Sequence, residues 1–218
     1  MTIPEIIIFE ASKDYQENPE DVTAAAVVQL KGIEGIEASY HGFQYDDELE
    51  AGVKKAVWVN VWDSYDSASK QLAHLQSLFK PENKPEIYHV KSGSDLINPI
   101  SATCTEIARM NLHTGESTAA LAELVDQLEA SLKGGEGAHD STWGPTFEDP
   151  NVTIGILGWD SKEVSSLQSR ESGIGLTDVM QAHLKAVAPG TKAYDIIQKI
   201  LKIADITLLH TDLKKFSA

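Results

Sequence analysis

Cysteine is almost missing from this chain. Cys104 stands alone among 218 residues, so no intrachain disulfide can form and nothing marks the protein as secreted. With no CxxC around it and no basic residue beside it, Cys104 reads as an inert thiol rather than a nucleophile. Basic residues are also scarce: 18 Lys and Arg against 33 Asp and Glu give a formal net charge of -15. A surface of that sign repels phosphate backbones and anionic lipid heads, so nucleic acid is not an expected partner and very anionic substrates are disfavoured. No apolar run is long enough to span a bilayer. The start, Met1-Thr2-Ile3-Pro4-Glu5, lacks the basic residues and apolar stretch of a signal peptide. The expectation is a cytoplasmic protein with no membrane partner. GxSxG, a GxGxxG following a strand, the P-loop, HExxH and metal-type Cys spacing are all missing, and His139-Asp140 stands without them; no metal site is expected.

What is present is an internal echo. Ser39-Tyr40-His41-Gly42-Phe43-Gln44-Tyr45-Asp46-Asp47 is answered 102 positions later by Ser141-Thr142-Trp143-Gly144-Pro145-Thr146-Phe147-Glu148-Asp149. Trp62-Asp63-Ser64 is answered 97 positions later by Trp159-Asp160-Ser161. Glu5-Ile6 matches Glu106-Ile107 at 101, and His89 pairs with His210 within a late strand. The elements between the matches agree. Ile6–Phe9 reads as a strand, and Asn18-Pro19-Glu20-Asp21 as a helix start with a cap, a first-turn proline and acids at the positive dipole end. Ile36–Tyr45 and Ala56–Trp62 read as strands, Tyr65–Phe79 as a helix and Glu86–Val90 as a strand. The second half runs Thr105–Leu112 (strand), a helical stripe of Leu121, Leu124, Val125, Leu128 and Leu132, His139–Phe147 and Val152–Leu157 (strands), further helices, and Ile206–His210 (strand).

The pattern predicts an α+β fold made of two tandem ferredoxin-like βαββαβ repeats, residues 1–97 and 98–218. Neither face of Ala56–Trp62 looks solvated. A second sheet packed on the first would cover it, which predicts a single-chain, pseudo-dimeric α+β barrel. Such a chain could be a monomer with an internal pseudo-two-fold axis or pair further into a homodimer.

Ile33-Glu34-Gly35-Ile36-Glu37-Ala38-Ser39-Tyr40-His41-Gly42 resembles the helix-to-strand junction of the dimeric α+β barrel superfamily. The Trp-Asp-Ser step before a helix, with Gln181-Ala182-His183 late in another, is similar to its antibiotic-biosynthesis-monooxygenase branch. That resemblance implies a pocket between sheet and helices for a small hydrophobic or aromatic molecule. It implies a cofactor-free monooxygenase or cyclase acting on an aromatic or polyketide-like substrate. By helix geometry His183 falls within about 40° of the apolar stripe of Val179, Met180, Leu184 and Val187, and His74 about 120° from the stripe of its own helix. His183 is then a candidate general base, with Asn111 or Arg109 holding the resulting oxyanion. Alternatively it is a core histidine bonded to a backbone carbonyl.

Asn111, Trp159 and His183 together are similar to the set of haem-degrading monooxygenases, which keeps open a haem protein with His183 as proximal ligand. A third reading is a non-catalytic, stress-responsive barrel. The second half is the expected working half: Gly155 and Gly158 stand where the first half has Trp58 and Val61, which would leave room for a ligand or mark a β-bulge. About two dozen extra residues there include Ser172-Gly173-Ile174-Gly175, a possible lid hinge. Tyr40, His41 and Trp143 read as strand aromatics that pack or line a barrel.

Overall fold

In unit 1 the chain opens on strand β1 (Ile3–Glu10), whose residues are buried on both sides up to Phe9. The computed structural model describes residues 2–30, 32–50, 53–69, 84–93, 96–135, 137–160 and 189–216. They divide into two compact units, residues 1–92 with 211–218, and residues 93–210. His74, His183, the Thr177–Val187 helix and the Ser172–Gly175 hinge lie outside the described residues.

Two helices follow β1. The first, α1 (Lys13–Glu17), is a five-residue turn capped by Ser12, whose side chain accepts from the Tyr15 amide. The second, α2 (Pro19–Leu30), starts on proline with Glu20 and Asp21 in its first turn, where acids meet the positive end of the helix dipole. Strands β2 (Ile36–Phe43) and β3 (Lys55–Trp62), the helical turn α3 (Tyr65–Ala68) and strand β4 (Glu86–His89) complete the motif. Strand β9 (Lys214–Lys215), from the far end of the chain, adds to the edge, giving the order β4-β1-β3-β2-β9. Ile7, Phe9, Ala56 and Trp58 on one sheet face pack with Tyr15 of α1 and Ala26 and Leu30 of α2. Val57 and Val59, of the opposite parity, are fully buried too, so both faces of β3 are covered.

Unit 2 begins with α4 (Ile97–Ile100) and β5 (Cys104–Leu112), followed by α5 (Thr118–Leu132), capped by Ser117. Leu121, Val125, Leu128 and Leu132 of the expected stripe are buried. Strands β6 (Ala138–Pro145) and β7 (Val152–Trp159), helix α6 (Lys192–Ile200) and strand β8 (Ala204–Thr211) follow. The order β8-β5-β7-β6 is that of β4-β1-β3-β2 in unit 1. Register agrees as well. Glu5 faces Asn60 and Ser39 faces Asn60 in unit 1; Glu106 faces Leu157 and Ser141 faces Leu157 in unit 2. The offsets of 101, 102 and 97 between the sequence matches therefore carry one ladder onto the other. The α+β, ferredoxin-like reading holds for each unit. No helix of the described residues is long and apolar enough to cross a membrane.

Room at the two glycines of β7 does not materialise. Gly155 lies opposite Trp143, and a Cβ there would collide with that ring. In unit 1 the equivalent pair is Trp58 opposite His41: the indole has moved to the neighbouring strand, and a glycine receives it. At Gly158 a Cβ would sit 2.9 Å from both Ala102 Cβ and Pro99 Cα, so the approach of α4 and its following turn fills that slot. Gly155→Ala should therefore cost about 1–3 kcal/mol by overpacking. Denaturant titration should show that cost vanish in a Trp143→Leu background; an equal cost in both backgrounds would reject the ring-over-glycine contact.

Candidate functional site

The helix-facing side of the unit 1 sheet carries two polar groups of very different character. The first is a buried network. Glu5, 1% exposed, accepts from Asn60 Nδ2 (2.7 Å) and Trp62 Nε1 (2.9 Å). Its other oxygen is 3.3 Å from His89 Nε2. Ser39 Oγ donates to Asn60 Oδ1 at 2.6 Å, and Tyr65 meets the His89 ring edge-on. A buried carboxylate needs this many donors to be tolerated. Unit 2 repeats the pairing of first and third strands: Trp159 Nε1 donates to the buried Glu106 Oε2 at 2.6 Å.

The second group is open. Tyr15, fully buried, sits between Trp58 and His41. Trp58 Nε1 donates to the Tyr15 oxygen at 3.1 Å, and that oxygen is 3.3 Å from His41 Nδ1. Indole nitrogen is only a donor, so the phenol accepts there and its own proton is free for His41. The phenol oxygen keeps a second lone pair that can accept from His41 Nδ1–H, so the contact is compatible with either neutral tautomer of the ring. The Nε2 atom makes no hydrogen bond to the described residues. Burial, reinforced by the charge of Lys214 and opposed by Asp212, lowers the His41 pKa to about 4, so the ring is neutral at pH 7. Burial likewise raises the Tyr15 pKa, against Trp58 and Thr23, which favour the ionised phenol.

His41 lines a cleft of about 650 Å³ between α2 and the β2–β9 edge. Phe43 and Phe216 form its aromatic walls, Val27 and Val28 its helix side, and Glu20, Asp212 and Lys214 its charged rim; the Lys215 ammonium lies over the Tyr40 ring. Val28 is 69% exposed, an apolar surface left open beside the cleft. Thr23, 5% exposed, also lines it and lies close enough to the Tyr15 oxygen to favour its ionised form. The cleft thus offers apolar walls, a neutral imidazole and the ammonium of Lys214 beside the carboxylates of Asp212 and Glu20, the inventory of a small-molecule site.

In unit 2 the expected residues separate. Trp159 faces Cys104 and Asn111 faces Val152. Seven ladder steps lie between them, about 23 Å at ~3.3 Å per residue. Glu106 and Trp159 share one face by the alternation of the strand; Arg109 and Asn111 occupy the other. Trp159 borders a smaller cleft of about 230 Å³ with Glu129 and Lys133 of α5 and His139 of β6. Burial raises the Glu129 pKa, with help from Asp126. His139 and Asp160 form an exposed pair at 2.8 Å. No group of three His, Cys, Asp or Glu side chains among the described residues could hold a metal ion.

Tyr15, Thr23, Glu5, Glu106 and Phe216 were invisible as site residues in the sequence. Only the Ser12 cap with Asp14 in the first turn hinted at the short helix that places Tyr15. His41 was visible, but its strand neighbours gave no sign of which face it takes.

A depressed histidine pKa has a thermodynamic signature. Between about pH 4 and 6.5 the unfolded chain binds the proton and the folded one does not, so stability rises with pH. Lowering the pH through that window should remove up to about 3 kcal/mol, and a His41→Phe variant should lack that part of the slope. Parallel stability–pH curves for the two proteins would contradict a buried neutral His41.

No known family model matches the sequence, and no curated protein sequence matches it significantly. Solved structures do. A protein named as a candidate monooxygenase from Fusobacterium nucleatum is 13% identical, with 98% of this chain and 93% of that one covered at a TM-score of 0.61. An anthrone oxidase-like protein is 9% identical, with 98% and 93% covered at 0.65. A chlorite dismutase variant from Candidatus Nitrospira defluvii is 9% identical, with 96% and 90% covered at 0.52. Across both of its units, the chain has the ferredoxin-like α+β fold of these proteins.

Proposed function

We propose that the chain is a small-molecule enzyme of the monooxygenase or cyclase type, working without a permanent cofactor on an aromatic, polyketide-like substrate. The reading rests on one observation: a neutral His41, bonded through Nδ1 to a Tyr15 that Trp58 holds, lining an aromatic-walled cleft. Cofactor-free activation of a phenol or an activated ketone needs the substrate anion to be stabilised where water cannot compete. With Nδ1–H donating to the Tyr15 oxygen, the neutral imidazole keeps a lone pair on Nε2 that takes the substrate proton as general base. Lys214, close enough to depress the His41 pKa, supplies a positive charge, and Phe43 a surface for the ring. Tyr15 acts as a positioning residue that holds the His41 tautomer. The likeness to an anthrone oxidase-like protein and a candidate monooxygenase agrees with this chemistry and sets only the fold.

His183, expected as the base, lies outside the described residues, and Asn111 and Arg109 lie across the sheet from Trp159. The proposed site is accordingly in unit 1 rather than the C-terminal half. The haem alternative names His183 as the axial ligand, which lies outside the described residues.

Oxygen uptake with an anthrone-type ketone tests the reading. His41→Ala should lower turnover by about 10²- to 10⁴-fold, the usual effect of losing a general base. Tyr15→Phe should lower it less and leave KM nearly unchanged. Turnover indifferent to His41 would refute the assignment.

A further inference from the structure

The His41 cleft already contains a ring, supplied by the chain itself. Phe216 stacks on the His41 imidazole with centroids 4.5 Å apart and planes 9° from parallel. It also lies 4.9 Å from the Trp58 ring at a tilt of 48°. These are the contacts a planar aromatic ligand would make on the same two residues. Beneath this layer, Trp58 and Tyr15 are fully buried, whereas Phe216 is only partly so. The ring therefore covers the site more than it builds the core.

The segment that carries Phe216 has a firm root and a light tip. At the root, Thr211 bridges Gln44 and Leu213 is buried. Gly42 permits this approach, because a Cβ there would collide with the Asp212 carbonyl and the Thr211 hydroxyl. At the tip, β9 pairs with β2 through Lys214 and Lys215 only, and both lysines are exposed. One further backbone bond, from the Phe216 amide to the Ser39 carbonyl at 3.0 Å, finishes the ladder. An edge strand of two residues opens at little cost.

Resting on the small-molecule reading of this cleft, we propose that residues 214–216 are a displaceable plug. Phe216 occupies the ring-binding position on His41, and a planar aromatic ligand binds by displacing it while Thr211–Leu213 stay anchored. The plug makes Phe216 a determinant of affinity, since each ligand must replace its stacking. It also gives the site a closed resting state in which the imidazole is covered.

The test is equilibrium binding of 2-naphthoate to the full-length protein, measured by calorimetry at pH 7. Phe216→Ala should bind about three- to tenfold more tightly than the native protein, the ratio set by the stacking energy of one aromatic pair. Phe216→Trp should bind more weakly. In the native protein, adding the probe should speed hydrogen exchange at the Lys215 and Phe216 amides and leave Leu213 unchanged. Equal or weaker binding by Phe216→Ala, no binding by either protein, or undisturbed Phe216 exchange would each overturn the plug. Circular dichroism checks that the variants stay folded. Oxygen uptake reads the enzymatic proposal separately: turnover with unaltered probe binding removes the plug alone, and tighter binding without turnover removes the enzymatic reading alone.

Discussion

A buried carboxylate on the first strand of each unit is the constraint around which the sheets are organised. Glu5 and Glu106 lie almost wholly out of water, where an unpaired charge costs several kcal/mol. Each is met by the indole N–H of the tryptophan that closes the third strand, Trp62 or Trp159. A slip of one residue between the strands would send the carboxylate and the indole to opposite faces. The bond therefore holds register as well as charge. The second strand is registered on the third separately, in unit 1 with Ser39 donating to Asn60, and this places His41 opposite Trp58 and Trp143 opposite Gly155.

On this shared frame the units differ at the positions that face the carboxylate and the neighbouring ring. Asn60, which bridges Ser39 to Glu5, is replaced in unit 2 by Leu157, so the polar ladder of unit 1 is cut short there. The large aromatic ring changes strands, from Trp58 to Trp143, and the position it vacates becomes glycine. In unit 1 this leaves a histidine beside a buried phenol; in unit 2 it leaves an indole over bare backbone. Chemistry becomes available in one sheet and packing in the other, although the ladders coincide.

Much of the architecture could be read from the sequence because it rests on local signals. Asn18-Pro19-Glu20-Asp21 announced α2, and the leucine stripe announced α5. The matches at Glu5, Ser39 and Trp62 proved to be the register points themselves. The site was less legible. Strand β5 is buried on both faces along most of its length, so no polar alternation showed that Arg109 and Asn111 turn away from Trp159. The glycines of β7 suggested space because sequence shows a missing side chain and not the neighbour that fills it. A five-residue helix and a two-residue strand fall below the length at which periodicity exists, and they deliver Tyr15 and Phe216.

Unit 1 is also discontinuous along the chain: its last strand follows the whole of unit 2. On the ribosome, the outer edge of β2 emerges early and its partner β9 only after residues 93–210 have been made. At ordinary rates of synthesis that interval is on the order of ten seconds. Throughout it, β2 presents an open row of amides and carbonyls, the kind of edge that recruits foreign strands. The acidic residues that follow β2, Asp46 and Glu50 among them, and the net charge of the chain give this edge electrostatic protection while it waits. Closure by β9 is thus a late event in the birth of the protein, made by the segment that carries Phe216.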